Sequence, residues 1–350
     1  MSDSALAKKS TAPAKNPNAF DDDFLQRLEY LSLLSKRVFG GQLLAQRRTR
    51  QVGGGVEFAD HRDYIPGDDL RHLDWRVYAR HGDTLIKRFQ EEKDLHVYLF
   101  VDVSASMRRS DDATRITASN RSGSKTIEKA WLARKLAAAL AHIALSDLDR
   151  VSVLACGGRL NEMLPPVRGK DQILPIMKFL EAAESNDERT DFESVVAGFL
   201  SRSPRPGLAI LLSDLFDHGK QAVETSTDSA HSGQKAASQK EDVPVTRFTA
   251  GVDRLRYANF EPHVIQIHTP GEADPSLLGD VELVDCETSR QKRLTVDARK
   301  LRRYRQLFSE FIDSCKSYCV RRDIPHTIAT TDVPFDHVIM AMMRSAAVGA

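Results

Sequence analysis

A carboxylate and two hydroxyls alternate with small apolar residues in the pattern D-x-S-x-S. Asp102, Ser104 and Ser106 carry the oxygen atoms, and Val103 and Ala105 separate them. A tight turn of this composition can direct three oxygens at one point while the apolar side chains pack. Oxygen ligands favour a hard cation, and Mg²⁺ is commonly held by only one or two carboxylates. The pattern therefore predicts a site for Mg²⁺ or Mn²⁺.

The element that must position this pattern is the apolar run directly before it, residues 97–101, with the sequence VYLFV. A near-continuous series of β-branched and aromatic residues is typical of a central strand in a parallel sheet covered on both faces. Strands of this kind present ligand-binding groups at their carboxyl ends. Asp and Ser are also ordinary turn and helix-cap residues, so the pattern alone leaves a purely structural role open.

Two more polar groups follow at comparable places. Thr190 and Asp191 lie in a polar turn that opens an amphipathic segment, and Asp214 follows the apolar run 207–212. We expect these groups to converge with Asp102 at one edge of the sheet, because parallel strands end on the same side. Asp191 is an alternative ligand, and in that case Thr190 caps the following helix.

The order of these groups resembles the metal-ion-dependent adhesion site of von Willebrand factor A domains. In that family the hydroxyls bind the metal directly, the acidic groups act partly through water, and one coordination position remains for a carboxylate of a partner. The resemblance implies a binding device and not an enzyme. Matched position by position, it assigns metal-binding roles to Asp102, Ser104, Ser106, Thr190 and Asp214.

A second, densely charged pattern lies at residues 53–92 and resembles the bacterial domain-of-unknown-function family 58. Members carry a von Willebrand factor A-like domain and are commonly encoded beside MoxR-type AAA+ ATPases. The resemblance extends from about Leu31 to about Ser345 and implies a non-enzymatic adaptor that works with such an ATPase in the assembly or maturation of other proteins. The residues that carry it are Glu57, Phe58, Arg62, Tyr64, Gly67, Asp68, Asp69, Arg71, Asp74, Trp75, Ala79, Arg80, Lys87 and Glu91.

Within this pattern we define a charged block that binds a partner or stabilises the fold. Its residues are Glu57, Arg62, Asp68, Asp69, Arg71, Asp74, Trp75 and Arg80. Arginine pairs with carboxylates through two parallel hydrogen bonds, which favours an internal network that holds a small β-rich subdomain together. The alternative is a docking surface beside the metal. Trp75 and Tyr78 are residue types that dominate interfaces when exposed, but we expect them to pack in the core.

The whole-chain composition limits the classes of partner. The 350 residues include 50 basic and 49 acidic side chains, for a net charge of +1, so no global field attracts nucleic acid or a membrane surface. No apolar stretch approaches the roughly 20 residues that span a bilayer, and the polar N-terminus lacks a signal-peptide core. These features predict a cytoplasmic protein without a membrane span.

The four cysteines do not show the paired spacing of a zinc site or a disulfide framework. Cys315 and Cys319 lie on an apolar helical stripe, where we expect them to pack in the core rather than to bind a metal.

Apolar runs that alternate with amphipathic segments predict an α/β fold. We expect a doubly wound, mostly parallel sheet of von Willebrand factor A-like or Rossmann type, with a small N-terminal β-rich subdomain. The predicted divisions are a disordered tail at 1–20, a helix and charged β-rich subdomain at 21–94, and the larger domain at 95–345. Polar segments at about 108–125 and 218–243 are predicted to be flexible insertions, because their composition cannot bury enough apolar surface to offset ordering.

Single features of the sequence suggest two other functions. Asp102 after a strand also begins the D-x-D motif of haloacid dehalogenase-like phosphatases, which leaves a metal-dependent phosphohydrolase as the alternative function. Ser104 replaces the usual acid/base carboxylate of that motif, which argues against it. A basic run at 299–305 suggests nucleic-acid binding, but without an aromatic platform it is better explained as the solvated face of a helix.

Overall fold

A computed structural model describes residues 20–39, 57–90, 95–108, 128–183, 190–216, 247–286 and 291–348. The strands in these ranges are β1 Glu57–Asp63, β2 Leu85–Gln90, β3 His96–Asp102, β4 Arg150–Cys156, β5 Leu160–Arg168, β6 Leu208–Ser213, β7 Glu261–His268, β8 Gly279–Val284, β9 Gln291–Val296 and β10 His326–Thr330. The α-helices are α1 Asp22–Phe39, α2 Trp75–His81, α3 Lys129–Ser146, α4 Ile173–Ala182, α5 Phe192–Leu200, α6 Arg247–Tyr257, α7 Pro270–Ala273, α8 Ala298–Val320 and α9 Phe335–Val348.

The central sheet of the described chain has the strand order β10-β7-β6-β3-β4-β5. β5 is antiparallel to β4, and every other neighbouring pair is parallel. The prediction of an α/β fold with a mostly parallel sheet is therefore confirmed. From β3 the chain moves outward to β4 and β5 and then returns to β6 on the other side of β3. The crevice at the carboxyl ends of β3 and β6 is thus a topological switch point, where sheets of this kind bind ligands.

Alternating side chains of β3 serve two separate cores. Val97, Leu99 and Val101 contribute to a core that also contains residues of α1, α3, α4 and α9. Tyr98 and Phe100 point to the other face, where residues of α5, α6 and α8 cover the sheet. Each of these fully buried side chains contributes roughly 1.5–3 kcal/mol. Burial on both faces explains why β3 is a continuous apolar run, and it confirms that the sheet is doubly wound.

The N-terminal helix α1 packs with the large sheet. Phe24 and Leu28 are in the same core as α3, and the Phe24 ring lies 4.8 Å from the ring of Phe335 on α9. α1 therefore shares a core with α3 and α9. The predicted division of the chain at residue 94 stays a prediction.

Four elements of the described chain were not predicted, namely α2, β5, α6 and α7. β5 is an edge strand that contains Pro165 and Pro166. An edge strand tolerates proline, but proline in a sequence argues against a strand, so the pattern did not predict one here. α6 contains Gly251, a poor helix residue. A Cβ at Gly251 would lie 2.6 Å from Cδ1 of Phe192, so the close approach of α5 and α6 requires glycine there.

The remaining predictions divide between described and undescribed residues. β8 and β9 pair antiparallel and form a two-stranded sheet of their own. Cys315 and Cys319 are buried in a core, as predicted. The tail at 1–19 and the insertions at 109–125 and 218–243 lie outside the described residues and stay predictions. Among the described helices, none is long and apolar enough to cross a membrane.

Candidate functional site

Asp102 is the last residue of β3, and hydrogen bonds from Ser104 and Ser213 fix its side chain. Oδ1 accepts a hydrogen bond from the backbone N–H of Ser104 at 2.9 Å, and Oδ2 accepts one from Oγ of Ser213 at 2.5 Å. The backbone N–H of Leu215 in turn donates to Ser213 Oγ at 3.0 Å. Asp102 is only 2% exposed. The carboxylate is therefore held in one orientation by the ends of β3 and β6 together.

The two serines of the D-x-S-x-S pattern lie together in the short 3-10 turn that follows β3. Ser104 Oγ and Ser106 Oγ are 2.9 Å apart, and both residues are buried. Val103 and Ala105 are buried as well, as the alternating pattern predicted. The turn thus brings its hydroxyls together with the carboxylate of Asp102.

Burial dominates the electrostatics of Asp102. Burial has the largest effect and the negative charge of Asp214 the second largest, and together they raise the pKa of Asp102 to about 6. Hydrogen bonds from Ser213 and Ser104 act in the opposite direction, because they favour the charged form. Near neutral pH the carboxylate is therefore a buried anion whose hydrogen bonds do not fully compensate for its lost hydration. A cation beside Asp102 would supply that compensation.

Thr190 and Asp191 have different roles. Asp191 Oδ1 accepts the Ser194 N–H at 3.0 Å and caps α5, and its other oxygen pairs with Arg247. Thr190 is 8% exposed, and its buried Oγ1 has no hydrogen-bond partner among the described residues. Thr190 lines a cavity of about 10 Å³ together with Asp102. Thr190 thus lines this cavity together with Asp102, and Asp191 is not among the lining residues.

We call Asp102, Ser104, Ser106, Thr190 and Ser213 the strand-end cluster. The cavity beside it is about the size of one water molecule, which is also large enough for a small ion. Its other lining residues are mostly apolar: Cys156, Phe192, Val195, Leu211, Leu215 and Phe248. The backbone of Leu215 has a φ of 62°, an uncommon value for a residue other than glycine. Such strained turns concentrate at functional sites.

Asp214 lies beside the strand-end cluster but has a partner of its own. Its Oδ2 accepts a hydrogen bond from Nζ of Lys129 at 2.8 Å, and Oε1 of Glu272 accepts one from the same Nζ at 2.6 Å. Lys129 is completely buried at the start of α3. Burial disfavours its charge, but the two carboxylates outweigh that effect and raise the pKa of Lys129. We call Lys129, Asp214 and Glu272 the lysine triad.

Ser213, Lys129 and Glu272 were not among the predicted site residues. Ser213 directly precedes a predicted ligand, which was an available signal. Lys129 is three and seven residues before the buried Leu132 and Leu136, so helical spacing places it on the core-facing side of α3. Glu272 belongs to a capping box, in which its Oε2 accepts the Thr269 N–H at 2.9 Å. That motif predicts the start of a helix but not a contact with Lys129.

The donor set of the strand-end cluster fits a hard divalent cation. Its donors are oxygens, the hydroxyl of Thr190 is unpartnered, and the buried charge of Asp102 lacks compensation. Asp102, Ser104, Ser106 and Thr190 are thus the residues that would hold the ion. Asp214 is already paired with Lys129. No group of three His, Cys, Asp or Glu side chains in the described ranges has the geometry of a metal site.

The charged block contains ion pairs of a different kind. Nη1 and Nη2 of Arg62 donate to the two carboxylate oxygens of Asp68 at 2.8 and 2.5 Å. These hydrogen bonds lower the pKa of Asp68 and raise that of Arg62. Asp69 Oδ1 accepts the Arg71 N–H at 2.9 Å and caps a short 3-10 turn. Arg62, Asp68 and Asp69 thus have the contacts expected of an internal network.

Asp74 links β1, β2 and α2. Its Oδ1 accepts the Arg76 N–H at 3.0 Å as the cap of α2, and its Oδ2 contacts His61 at 2.9 Å and Lys87 at 3.5 Å. The hydrogen bond with His61 contributes most to lowering the pKa of Asp74 to about 2. Glu57 begins β1, but its side chain lies outside the described atoms.

The expectation that Trp75 and Tyr78 pack in the core is wrong. They are 59% and 47% exposed, and their rings meet edge to face at 6.2 Å. α2 has only seven residues and contains no buried side chain, so it has little core-facing surface. The neighbouring Arg80 is exposed as well.

The family described as "Protein of unknown function DUF58" matches residues 60–246. This range is more than half of the chain. The chain belongs to the DUF58 family. The matched range contains the five predicted metal-binding residues and all of the charged block except Glu57.

Curated relatives of this DUF58 chain include "Uncharacterized protein Mb1516" of Mycobacterium bovis and "Uncharacterized protein Rv1480" of Mycobacterium tuberculosis. Each is 26% identical over 196 residues, which cover 55% of this chain and 58% of the relative. The chain thus spans little more than half the length of the curated relatives that it matches.

Similar solved structures include "conserved hypothetical protein BatB from Bacteroides thetaiotaomicron", with 12% identity and a TM-score of 0.39. Another is "an aerotolerance-related membrane protein from Bacteroides fragilis", with 12% identity and a TM-score of 0.41. Each alignment covers 73% of this chain and 99% of the other. Both likenesses are weak by TM-score, so the chemistry of the site is argued from this chain's own residues.

Proposed function

We propose that this DUF58 protein is a non-enzymatic interaction module that binds a protein partner through a divalent cation, Mg²⁺ or Mn²⁺, at the end of β3. The observation that carries the proposal is the buried, unpartnered hydroxyl of Thr190 beside the buried carboxylate of Asp102. Leaving a buried hydroxyl without a partner costs roughly 1–3 kcal/mol. A bound cation would satisfy the hydroxyl and neutralise the carboxylate at once.

Asp102, Ser104, Ser106 and Thr190 would hold the ion, and Asp214 would contribute through its nearby charge. Asp102 supplies the one full negative charge of the strand-end cluster, so a divalent cation would keep a net positive charge. A partner's Glu or Asp is the ligand that best completes such a site. The order of the residues supports this proposal through its resemblance to the adhesion site of von Willebrand factor A domains.

By resemblance, the proposed partner is a MoxR-type AAA+ ATPase, and the proposed role is that of an adaptor in the assembly or maturation of other proteins. We further propose that the sheet domain is of von Willebrand factor A type and that the protein acts in the cytoplasm. The physical support for a partner is the positive charge that such a site would present at the topological switch point of the sheet.

The first experiment measures binding of the cation alone. Isothermal titration with Mn²⁺ should show one site in the wild-type protein. A variant that combines Asp102→Ala with Asp214→Ala should show none. Binding that survives both substitutions unchanged would exclude the strand-end cluster as the site.

The second experiment measures binding of the partner. Pull-down of the MoxR-type ATPase should fail in EDTA and in the variant with Ser104→Ala and Ser106→Ala, while the melting temperature stays close to that of the wild type. A matched control replaces two exposed serines, Ser201→Ala with Ser317→Ala, and should bind normally. Binding that is indifferent to EDTA and to Ser104→Ala with Ser106→Ala would move the interface to the charged block, where Trp75 and the adjacent Tyr78 are exposed.

Hydrolysis of a phosphoester is the competing function and has a direct test. Ser104 stands where the D-x-D motif has its acid/base carboxylate, and its Oγ contacts Ser106 Oγ. A general acid is therefore missing at that position. Turnover of a phosphoester that is lost in Asp102→Asn would overturn the non-enzymatic proposal.

A further inference from the structure

Lys129 places a fixed positive charge inside the candidate site. Its Nζ lies 2.8 Å from Asp214 Oδ2 and 2.6 Å from Glu272 Oε1, and the residue is completely buried. The ring of Phe216 lies 5.6 Å from the same Nζ and covers it. Lysine and these two acids form a buried ion cluster, in which removal of one member leaves the others uncompensated.

The charges of this region show what Lys129 does to the proposed metal site. Asp102, Asp214 and Glu272 are the acidic side chains, and Lys129 neutralises one of them. The ammonium contacts Asp214 but does not contact Asp102. The strand-end cluster therefore keeps the uncompensated charge of Asp102, while the charge of Asp214 is already paired.

We propose that Lys129 is a specificity-determining residue that withholds Asp214 from a divalent cation and thereby weakens metal binding at the strand-end cluster. This inference rests on the proposed function, because it concerns the same site. The consequence is a cation held chiefly by Asp102 and hydroxyls, with affinity low enough that a partner's carboxylate is needed to complete the site.

The size of the effect follows from the behaviour of close charges. A charge at about 4–6 Å changes the affinity of a group for a proton by roughly 10- to 1,000-fold. Asp214 acts on Asp102 in this way, and the Lys129 ammonium pairs with Asp214. Release of Asp214 from the ammonium would add the attraction of that carboxylate for a divalent cation. Loss of the ammonium should therefore tighten metal binding by about tenfold or more.

The main test compares Lys129→Met with Lys135→Met by isothermal titration with Mn²⁺ alone. Both variants lose one positive charge from α3, but Lys135 lies six residues further along the helix, beside Phe24. Lys129→Met should bind Mn²⁺ at least tenfold more tightly than the wild type, and Lys135→Met should bind like the wild type. The rise in melting temperature on addition of Mn²⁺ should be largest in Lys129→Met.

A second pair of variants covers the case in which Lys129→Met alone does not fold. Lys129→Met with Glu272→Gln removes one positive and one negative charge, so the net charge of the triad is unchanged while Asp214 is freed. This double variant should still bind Mn²⁺ more tightly than the wild type. Addition of Asp214→Asn to it should abolish the gain.

The outcomes separate this inference from the proposed function. Wild-type binding of Mn²⁺ with no gain in Lys129→Met or in the double variant overturns the inference and leaves the metal site intact. No binding in any of these proteins overturns both. Binding that is measurable only after removal of Lys129 supports the inference. The wild-type protein would then bind the cation only when the partner's carboxylate completes the site.

Discussion

Asp74 and Asp102 are both buried aspartates that accept backbone hydrogen bonds at the start of a turn or helix. Their pKa values nevertheless shift in opposite directions. The pKa of Asp74 falls to about 2, because the hydrogen bond with His61, the backbone N–H groups of Arg76 and Val77, and the charge of Lys87 together outweigh burial. The pKa of Asp102 rises to about 6, because burial and the charge of Asp214 outweigh the hydrogen bonds from Ser213 and Ser104. The balance between burial and the contacts that favour the charged form decides the sign of the shift.

The same contrast separates the two candidate surfaces. In the charged block, Asp68 and Asp74 are paired internally, and the exposed side chains left for a partner include Trp75, Arg80 and the adjacent Tyr78. In the strand-end cluster, Asp102 has no basic partner and Thr190 Oγ1 has no hydrogen bond among the residues that the structure describes. An external cation therefore gains most at the strand end, and an external apolar group gains most at the block.

The largest expected effect comes from exchanging each aspartate for asparagine. Asp102→Asn should abolish Mn²⁺ binding, and in EDTA at pH 7 it should raise the free energy of unfolding by about 1–3 kcal/mol, because a buried charge is removed. Asp74→Asn should leave Mn²⁺ binding intact and lower the melting temperature, because contacts to His61 and Lys87 weaken. Calorimetry and thermal melts measure both quantities. A stabilised Asp74→Asn would contradict the comparison.

The pH dependence of stability should follow the same division. Between about pH 4 and pH 6 the folded protein binds more protons at Asp102 than the unfolded chain does, so stability should fall as pH rises, by about 3 kcal/mol at most. The contribution of Asp74 has the opposite sign: it is present above about pH 4 and is lost as pH falls towards 2. Thermal melts in EDTA measure each contribution as the difference between the wild type and the matching asparagine variant.

A smaller effect is expected for Ser213→Ala. Its Oγ donates to Asp102 Oδ2 and accepts from Leu215 N–H, so alanine leaves two buried polar groups without that partner. The expected loss is about 1–3 kcal/mol in chemical denaturation. Ser201→Ala at the exposed end of α5 is the control and should change stability by less than about 0.5 kcal/mol. A neutral Ser213→Ala would mean that Asp102 is not oriented by β6.

The smallest effect on stability is expected for Trp75→Ala with Tyr78→Ala. Both side chains are largely exposed, so the change should stay within about 0.5–1 kcal/mol in denaturant titration. Partner binding should be unaffected if the strand-end cluster is the interface. A selective loss of partner binding in this variant would move the interface to the charged block.

Local patterns in the sequence were sufficient for much of the fold and part of the site. β3, β4 and β6 are buried on both faces, so each appears as an apolar run. The D-x-S-x-S turn is local as well, and its oxygens lie together because they are only two residues apart in one turn. β5 and the exposure of Trp75 were not predictable in this way, because an edge strand and a seven-residue helix lack a strong apolar period.

The sequence by itself determined the positions at which strands end in oxygen-bearing residues, because strand burial and turn composition are properties of neighbouring residues. Only the tertiary structure decided which of those oxygens are left without a basic partner. Lys129 meets Asp214 across 85 positions of sequence and Glu272 across 143. Pairing over such separations depends on the order of strands in the sheet. That order decides which helix packs beside a buried charge, and therefore whether a side chain of opposite charge lies next to it.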